Sequence, residues 1–382
     1  MDLPRREEAG RSQIIELQVD TREQGVQRYE LGAVELVDTE QAAAGAPATT
    51  LGDPPLVAIC MATYNPPLDR LLRQIESIRC QSYDNWLLII CDDGSGSMNW
   101  REIEALCAQD PRRMRLYRHE RNLGFYGNFE RALSLVPANA ELISLADQDD
   151  EWYPEKLEVL AAGLQREPEA LLAYSDMRIV DESGKVLADS YWQNRRNEYR
   201  DFSSVLIRNT VTGAASMFRR ELLDVILPFP QAVGEAFHDH WIACAAMACG
   251  KLSYVPEPLY DYYQYEDSVI GHCDADPGSV FSRVRKQIAA SEESREAMEK
   301  KWLSVYRRDC LRLQSISQIL GLRLPESSRK SRFRLMDGDY FSMARLFFHY
   351  LKGVISGKGS DAAELGLIRG FMAAKQASRR NG

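Results

Sequence analysis

The sequence predicts an α/β fold with a mostly parallel central sheet, helices on both faces of the sheet and a helical C-terminal extension. Short apolar runs alternate with segments of helical periodicity between residues 56 and 174, which is the pattern of a parallel sheet. Two of the apolar runs end in acidic turns, and the chain becomes mostly helical and basic after residue 275. With 45% apolar and 27% charged residues, the chain of 382 residues can bury such a core.

The apolar runs are the predicted strands, and the periodic segments are the predicted helices. Strands are predicted at Leu56–Met61, Trp86–Cys91, Arg115–Arg118, Glu141–Ala146 and Leu171–Tyr174. Helices are predicted at Leu68–Arg79, Ile103–Ala108, Phe129–Leu135 and Lys156–Leu164. Ligands bind beyond the carboxyl ends of the strands in such sheets, so the two acidic turns are expected to lie in the site.

The chain divides into three parts. Residues 1–54 are predicted to be a polar leader and linker, with a short strand pair around Ile14–Val19 and Val34–Val37. Residues 55–275 form the α/β domain. Residues 276–382 form a basic helical region, with helical patterns at Val280–Ile288, Glu292–Leu313 and Tyr340–Ile355.

Charge is divided unevenly along the chain. The net charge of −9 argues against a nucleic-acid partner. Residues 276–382 nevertheless carry 21 Lys and Arg against 11 Asp and Glu. This basic region is expected either to contact an anionic membrane surface or to dock on the acidic body, and both interpretations stay open.

The cysteines and the N-terminus indicate the compartment. The eight cysteines include no CxxC pair, and most lie in apolar surroundings, as free thiols do in a reducing compartment. The chain has no secretory signal pattern and no run near the roughly 18 apolar residues of a membrane span. We therefore expect a cytoplasmic protein, free or at the inner face of the membrane.

The acidic turns are the first candidates for chemistry. Asp147 and Asp149 stand two residues apart after an apolar strand, which suits Mg²⁺ or Mn²⁺ holding a diphosphate. For one such turn alone, a solvated turn or a helix cap is the commoner explanation. The turn Asp92-Asp93-Gly94-Ser95 is likewise common by itself. Two such turns after two apolar strands of one α/β region favour a shared site.

A second candidate lies at a helix entrance, where His238-Asp239-His240-Trp241 precedes an apolar run. Asp239 is predicted either to cap the helix or to act as a general base for an acceptor hydroxyl. The flanking imidazoles and indole suit the binding of a sugar. The small residues of Val211–Ser216 allow a close backbone approach beside the acceptor.

In combination, these motifs resemble family-2 glycosyltransferases. The resemblance covers about residues 55–272. Within the family, the chain looks most similar to the bacterial rhamnosyltransferase-like branch, which builds O-antigen, capsule and related surface polysaccharides. The segments that carry it are Ala62–Asn65, Asp92–Ser95, Arg121–Phe125, Gly127–Leu133, Asp147–Asp150, Met217–Arg220 and His238–Trp241.

The resemblance implies a GT-A fold and assigns roles to individual residues. The implied metal ligands are Asp147 and Asp149, with Asp149 the more direct, and the implied catalytic base is Asp239. The implied acceptor-binding residues are His238, His240 and Trp241. The implied donor-binding residues are Thr63, Tyr64, Asn65, Asp92, Asp93, Asn122, Asn128, Asp147 and Gln148.

The implied reaction is an inverting hexosyl transfer with Mg²⁺ or Mn²⁺. The implied donor is dTDP-rhamnose or a UDP-hexose, and the implied acceptor is a saccharide or a lipid-linked saccharide. A sugar nucleotidyltransferase is an alternative, but its Gly-rich loop with a basic residue is replaced by Thr63–Pro67. A non-catalytic binding subunit is another, and the presence of Asp239 and of the DxD motif argues against it.

Two positions depart from the family pattern. Near Tyr262–Glu266 the family often has Arg-Gln-His, and this chain has Tyr263 and Tyr265 at the corresponding Arg and His positions. Neutralisation of the diphosphate then comes from elsewhere, with His272 as one candidate, or the metal site is weakened or the donor altered. The second departure is His240, where the family frequently has an aromatic residue.

Overall fold

The computed structural model describes residues 12–21, 25–35, 54–193, 197–233, 236–265 and 292–324, together with residues 348, 367, 368, 370 and 372. Its strands are β1 Ser12–Thr21, β2 Gly25–Glu35, β3 Val57–Thr63, β4 Trp86–Asp92, β5 Met114–Arg118, β6 Leu142–Ala146, β7 Glu151–Trp152, β8 Ala170–Asp181, β9 Val186–Ala188, β10 Ser216–Arg219 and β11 Lys251–Gln264. Its helices are α1 Leu68–Arg79, α2 Ser97–Cys107, α3 Gly124–Ser134, α4 Lys156–Arg166, α5 Phe202–Ile207, α6 Leu223–Ile226, α7 His238–Cys249 and α8 Glu292–Arg323, with single 3₁₀ turns at Gly213–Ala215 and Arg220–Leu222.

A nine-stranded sheet forms the centre of the α/β domain. Its order is β5-β4-β3-β6-β10-β8-β11-β7, with β9 paired to β8. Strands β5, β4, β3 and β6 are mutually parallel, and β8 is parallel to β11. Strand β10 is antiparallel to both β6 and β8 and joins the two parallel groups. The predicted α/β class is confirmed, and the parallel pairing is strongest in the first half of the domain.

The local sequence explains the elements nearest to the site. Residues of β3 and β6 are apolar along almost their whole length because helices cover both faces of a parallel sheet. Helix α1 begins after Pro66 and Pro67, since proline disfavours helical backbone in the residue before it. Its apolar side chains at helical spacing, Leu71, Ile75 and Ile78, are fully buried against the sheet.

The first 54 residues contain an antiparallel hairpin. Strand β1 pairs with β2 from Ser12↔Glu35 to Thr21↔Gly25. The predicted strand pair is therefore confirmed in kind, but β2 begins at Gly25 rather than Val34. Polar side chains at Gln27 and Arg28 hide this strand from a search for apolar runs.

The C-terminal end of α8 docks on the α/β domain beside α6 and α7. Arg323 donates to the carbonyl oxygens of Val225 and Pro228, both at 2.6 Å, and its guanidinium lies 5.5 Å from the ring of Trp241. Apolar side chains of the same turns, including Leu313 and Leu320, join the main core. The docking interpretation is therefore confirmed for this segment. The predicted helix at 280–288 lies outside the described residues. Of the predicted helix at 340–355, only residue 348 is described.

Two further expectations concern thiols and membrane spans. The six cysteines with described side chains are all free, and four of them are buried. Burial raises the pKa of the Cys60 thiol well above its usual value, so this thiol is an unreactive core group. No helix among the described residues is long and apolar enough to cross a membrane.

Candidate active site

The candidate site lies at the edge of the sheet where β3, β4 and β6 end. In the parallel register Thr63 of β3 is paired with Asp92 of β4, and Met61 is paired with Ala146 of β6. Both acidic turns therefore leave the sheet at the same edge and flank the loop that follows Thr63. The predicted convergence of the two turns is confirmed.

The first acidic turn is an internal support of this edge. The buried Asp92 carboxylate accepts hydrogen bonds from the Ser95 N–H at 2.9 Å and from the hydroxyls of Ser95 and Thr63. The Asp93 carboxylate accepts from the N–H groups of Leu123 at 2.7 Å and Gly124 at 2.9 Å, which begin α3. These bonds tie both carboxylates to the protein, and donor contact by Thr63, Asp92 or Asp93 stays a prediction.

Asn122 and Asn128 also have structural partners. The Asn122 amide donates to the Asp93 carbonyl and accepts from the Gly124 N–H, which shapes the turn before α3. The buried Asn128 amide donates to the Cys91 carbonyl at 2.9 Å, and its oxygen lies 3.0 Å from the His119 ring nitrogen. Asn128 therefore braces β4 from behind, and its predicted donor contact is wrong. Asn122 remains exposed at the surface of the crevice.

The loop after β3 presents the accessible donor-side groups. The Tyr64 side chain is 51% exposed, and its N–H donates to the Gln148 side-chain oxygen at 2.8 Å. Asn65 has a φ of 42°, a left-handed conformation that asparagine tolerates. Its N–H donates to the Ser95 hydroxyl, and its oxygen accepts from the Gly96 N–H, both at 2.8 Å. The loop thus joins both acidic turns and leaves one aromatic ring open to a ligand.

The second acidic turn places its carboxylates at the mouth of the crevice. Asp147 and Asp149 are partly exposed, whereas Asp150 is buried. Loss of solvation, followed by the neighbouring carboxylates of Asp149 and Asp239, raises the pKa of Asp147 to about 7. The described residues contain no group of three or more His, Cys, Asp or Glu side chains that could hold a metal. Mg²⁺ is commonly held by one or two carboxylates plus substrate phosphates, so these residues fit such an ion.

A buried lysine lies beneath this turn. Lys156 is fully buried, donates to the Ala214 carbonyl, and lies 3.8 Å from the Trp152 ring and 4.3 Å from the Tyr260 ring. Burial lowers the pKa of Lys156 well below its usual value, and the carboxylates of Asp150 and Asp147 oppose that shift. The charge of Lys156 in turn opposes the rise that loss of solvation and the neighbouring carboxylates cause in the pKa values of Asp147 and Asp150. Lys156 thus connects the acidic turn with the 3₁₀ turn Gly213–Ala215.

Asp239 lies at the start of α7 and faces the same crevice. Loss of solvation raises its pKa to about 6, although N–H groups of His240 and Gly213 and the side chain of Asn209 donate to it and oppose the shift. Strand β10 is antiparallel to β6, so the turn before β10 lies beside the carboxyl end of β6. Gly213 therefore holds Asp239 next to Asp147, and the charge of Asp239 acts on the pKa of Asp147.

The residues around Asp239 face the interior, which contradicts their predicted contacts with the acceptor. His240 is buried, and its Nε2 lies 3.0 Å from the Leu206 carbonyl of α5. The buried Trp241 indole donates to the Ile226 carbonyl at 3.0 Å. Successive residues of a helix point about 100° apart, so only Asp239 of this group faces the crevice.

His238 packs below the crevice surface as well. Its ring stacks on Phe129 at 3.8 Å between centroids, and burial lowers its pKa to about 3. A Cβ on Gly213 would lie 2.7 Å from the His238 Nε2, so only glycine fits at that position. The prediction of a close backbone approach at Val211–Ser216 is confirmed, but His238 is the group approached. Neither nitrogen of this ring reaches the surface.

Several residues at this edge have little or no signal in the sequence. The helical pattern includes Lys156 only as the first residue of a helix, and no motif includes Asn209. Arg70 and Arg73 lie near the start of α1, three residues apart and thus on one face of the helix that follows β3. That spacing is the signal that could have indicated a basic face at the carboxyl edge of the sheet. His272, the predicted cation, lies outside the described residues.

Known proteins share this domain. The family described as glycosyl transferase family 2 matches residues 58–227. The glycosyltransferase MJ1057 of Methanocaldococcus jannaschii, which is described as uncharacterized, is 27% identical over 62% of this chain and 76% of its own length. WcaA of Escherichia coli, named for colanic acid biosynthesis, is 35% identical, but the match covers 29% of this chain and 39% of WcaA.

The solved structures include a more distant likeness. S. aureus TarS in complex with UDP-GlcNAc matches 85% of this chain and 92% of its own, with 14% sequence identity and a TM-score of 0.46. That similarity is too low to transfer a donor or a site. The family match covers β3, both acidic turns and β10, which are the elements that build the crevice. Residues 58–227 of this chain are thus similar to glycosyltransferase family 2 domains.

Proposed function

We propose that the chain transfers a hexosyl unit from a nucleoside-diphosphate sugar to a hydroxyl of a saccharide or lipid-linked acceptor, with inversion at the anomeric carbon. The observation that carries the proposal is the position of Asp239. Its carboxylate lies beside Asp147 at the sheet edge, and its pKa is raised to about 6. A base with that pKa is largely ionised at neutral pH and still accepts a proton.

The proposed reaction is a single displacement. Asp239 removes the proton from the acceptor hydroxyl while the acceptor oxygen attacks the anomeric carbon. A new carbon–oxygen bond forms on one face of the sugar, and the bond to the diphosphate breaks on the other face. A single displacement of this kind inverts the configuration.

The donor diphosphate is proposed to lie over the second acidic turn. Asp149 and Asp147 would hold Mg²⁺ or Mn²⁺ there, because hard oxygen ligands suit these ions. When bound, the ion neutralises charge on the departing nucleoside diphosphate. The exposed Tyr64 ring and the neighbouring Asn65 are proposed to contact the nucleoside, with Gln148 fixing the backbone of that loop.

The biological setting follows from the relatives. The name of WcaA, which refers to colanic acid biosynthesis, supports a role in bacterial polysaccharide biosynthesis. The rhamnosyltransferase-like branch supports dTDP-rhamnose as the first donor to test. We further propose that the protein works at the inner face of the membrane, where lipid-linked acceptors are extended, with its basic C-terminal region at the lipid surface.

A donor screen tests the proposal. The full chain is incubated with dTDP-rhamnose, UDP-galactose, UDP-glucose or GDP-mannose and with lipid-linked saccharide acceptors, with and without Mn²⁺. Release of the nucleoside diphosphate that requires both acceptor and metal is expected for one donor. Absence of turnover with every donor would reject the transferase function. Release of pyrophosphate from a nucleoside triphosphate and a sugar phosphate would indicate a nucleotidyltransferase instead.

A further inference from the structure

We propose that Arg70 of α1 supplies the positive charge that faces the donor diphosphate, and that Tyr265 holds it there. The inference rests on the proposed function and adds a donor-binding residue to it. It also gives a role to Tyr263 and Tyr265, which stand where the family often carries Arg and His. The charge in this chain would come from a different element of the fold.

Two arginines of α1 stack on the two tyrosines at the end of β11. The Arg70 guanidinium carbon lies 3.4 Å from the ring centroid of Tyr265, and that of Arg73 lies 3.5 Å from the ring centroid of Tyr263. The two tyrosine rings are nearly parallel, at 16°, with centroids 6.2 Å apart. Cation–π contacts at these distances hold the planar guanidinium groups in fixed orientations.

Hydrogen bonds connect this cluster with the second acidic turn. Arg73 Nη2 donates to the Tyr265 hydroxyl at 2.8 Å and to the Asp149 carbonyl oxygen at 2.9 Å. The Tyr265 hydroxyl lies 3.5 Å from the same carbonyl oxygen. One edge of the Tyr265 ring is thus fixed at the backbone of the proposed metal ligand, and the face of that ring carries Arg70.

The two arginines differ in what remains available to a ligand. Arg73 is committed to Asp149 and Tyr265, and its Nε is buried, so it acts as a positioning residue. The Arg70 side chain is 25% exposed, and its ion pair with Glu182 is long, at 4.0 Å. Because Glu182 is 58% exposed, that pair contributes little, and the N–H groups at the edge of the stacked Arg70 guanidinium can pair with a stronger anion.

The negative charge of the crevice favours such a cation beside the proposed metal ion. Three carboxylates, those of Asp147, Asp149 and Asp239, surround the place proposed for the diphosphate. The ammonium group of Lys156 is buried and bound to a carbonyl, so it acts on the carboxylates from below. A guanidinium matches phosphate oxygens with two parallel hydrogen bonds, which a single ammonium cannot do.

Binding of nucleotide fragments tests this inference. UDP, dTDP and GDP are titrated calorimetrically into the full chain with Mn²⁺, and the diphosphate that binds tightest is compared with its own nucleoside. We expect Arg70→Met to weaken the diphosphate about tenfold or more, as for a lost charge-assisted hydrogen bond, and to leave the nucleoside affinity unchanged. Arg70→Lys should retain part of the diphosphate affinity, because it keeps the charge but not the paired donors.

Two further variants separate local from general effects. Tyr265→Leu removes the ring under Arg70 and is expected to weaken the diphosphate as Arg70→Met does. Arg112 is exposed in the turn before β5, at the opposite edge of the sheet, and Arg112→Met is expected to bind both ligands as the wild type does.

The outcomes distinguish this inference from the proposed function. If the wild type binds a diphosphate and Arg70→Met binds it equally well, Arg70 is not its cation and the transferase proposal stands. Equal weakening of diphosphate and nucleoside would likewise overturn the inference, since it would indicate a general distortion. A wild type that binds none of the three diphosphates with Mn²⁺ would overturn both.

Discussion

Replacing Asp239 with asparagine separates its chemistry from its structural role. Asparagine keeps the size of the side chain and an oxygen that can accept from the N–H groups of His240 and Gly213, but it cannot take up the proton of an acceptor hydroxyl. Because general bases typically contribute about 10²- to 10⁴-fold, we expect sugar transfer to fall by that factor. Binding of the nucleoside diphosphate should be unchanged.

The stability of the same variant should rise at neutral pH. Loss of solvation raises the pKa of Asp239 from 3.8 to about 6, which corresponds to a cost of at most about 3 kcal/mol for the ionised form. Water screens part of this cost because the side chain is partly exposed, so about 1–2 kcal/mol is a realistic gain. The cost is fully present above the folded pKa of about 6, shrinks as the pH falls, and disappears only below the unfolded pKa of 3.8, where the carboxyl is protonated in both states.

The assay combines transfer with thermal unfolding between pH 5 and pH 8. Asp239→Asn should unfold a few degrees above the wild type at pH 8, with a smaller difference at pH 5. Asp224→Asn, at an exposed position on α6, is the matched control and should change neither quantity. Near wild-type transfer by Asp239→Asn would show that Asp239 is not the base. A lower unfolding temperature at pH 8 would refute the argument from lost solvation.

Four further predictions concern the metal, the glycine, the pH profile and the C-terminal region. Asp149→Asn should abolish the Mn²⁺ dependence of diphosphate binding. Electron paramagnetic resonance measures this because the signal of free Mn²⁺ falls when the ion binds, and the variant should leave that signal unchanged. Retained Mn²⁺ binding by the variant would show that Asp149 is not a metal ligand. Gly213→Ala places a Cβ 2.7 Å from the His238 Nε2 and should lower both transfer and stability, the latter by about 1–3 kcal/mol. The kcat/KM should fall below about pH 6 as Asp239 becomes protonated. The midpoint of this acidic limb of the pH profile should not change with Mn²⁺ concentration. A midpoint that does change would assign the limb to Asp147 instead. Truncation after Leu324 removes 11 Lys and Arg residues and 5 Asp and Glu residues. The truncated chain should lose the salt-sensitive binding to anionic vesicles that we expect of the full chain. Equal binding by the full and the truncated chain would exclude the membrane role.

The sequence predicts a helix well where one face of the helix is uniformly apolar, and a strand well where its run of residues is uniformly apolar. Helix α1 was predicted with its observed bounds, because its apolar side chains recur at helical spacing after two prolines. Strand β8 was predicted only as far as Tyr174 but continues to Asp181, since the buried Asp176 interrupts the apolar run. That aspartate is tolerated because its carboxylate accepts from Met177, Ser190 and Tyr191. Partners distant in sequence cannot be read from a local pattern.

The positions of the two acidic turns of the candidate site can be predicted from the sequence, whereas the hydrogen-bond partners of its polar side chains cannot. Position at the end of an apolar strand placed Asp92 and Asp147 at one edge, and helix periodicity placed Asp239 at a helix entrance. Whether a polar side chain faces a ligand or the protein depends on its partners, and the partners of Asp93 and His240 are 30 and 34 residues away. The contact of Arg73 with Tyr265 spans 192 residues and has no counterpart in any short motif.

The proximity of Asp239 and the second acidic turn has a consequence for the order of events. Without a metal, loss of solvation and the neighbouring carboxylates of Asp149 and Asp239 raise the pKa of Asp147 to about 7, so Asp147 and Asp239 compete for ionisation at neutral pH. A divalent cation requires ionised ligands and would remove the Asp147 proton on binding. The charge of a bound cation would offset that of Asp147, so that Asp239 could stay ionised beside it. Binding of metal and donor would therefore leave the base ready for an acceptor, whereas a crevice without metal holds its carboxylates partly protonated.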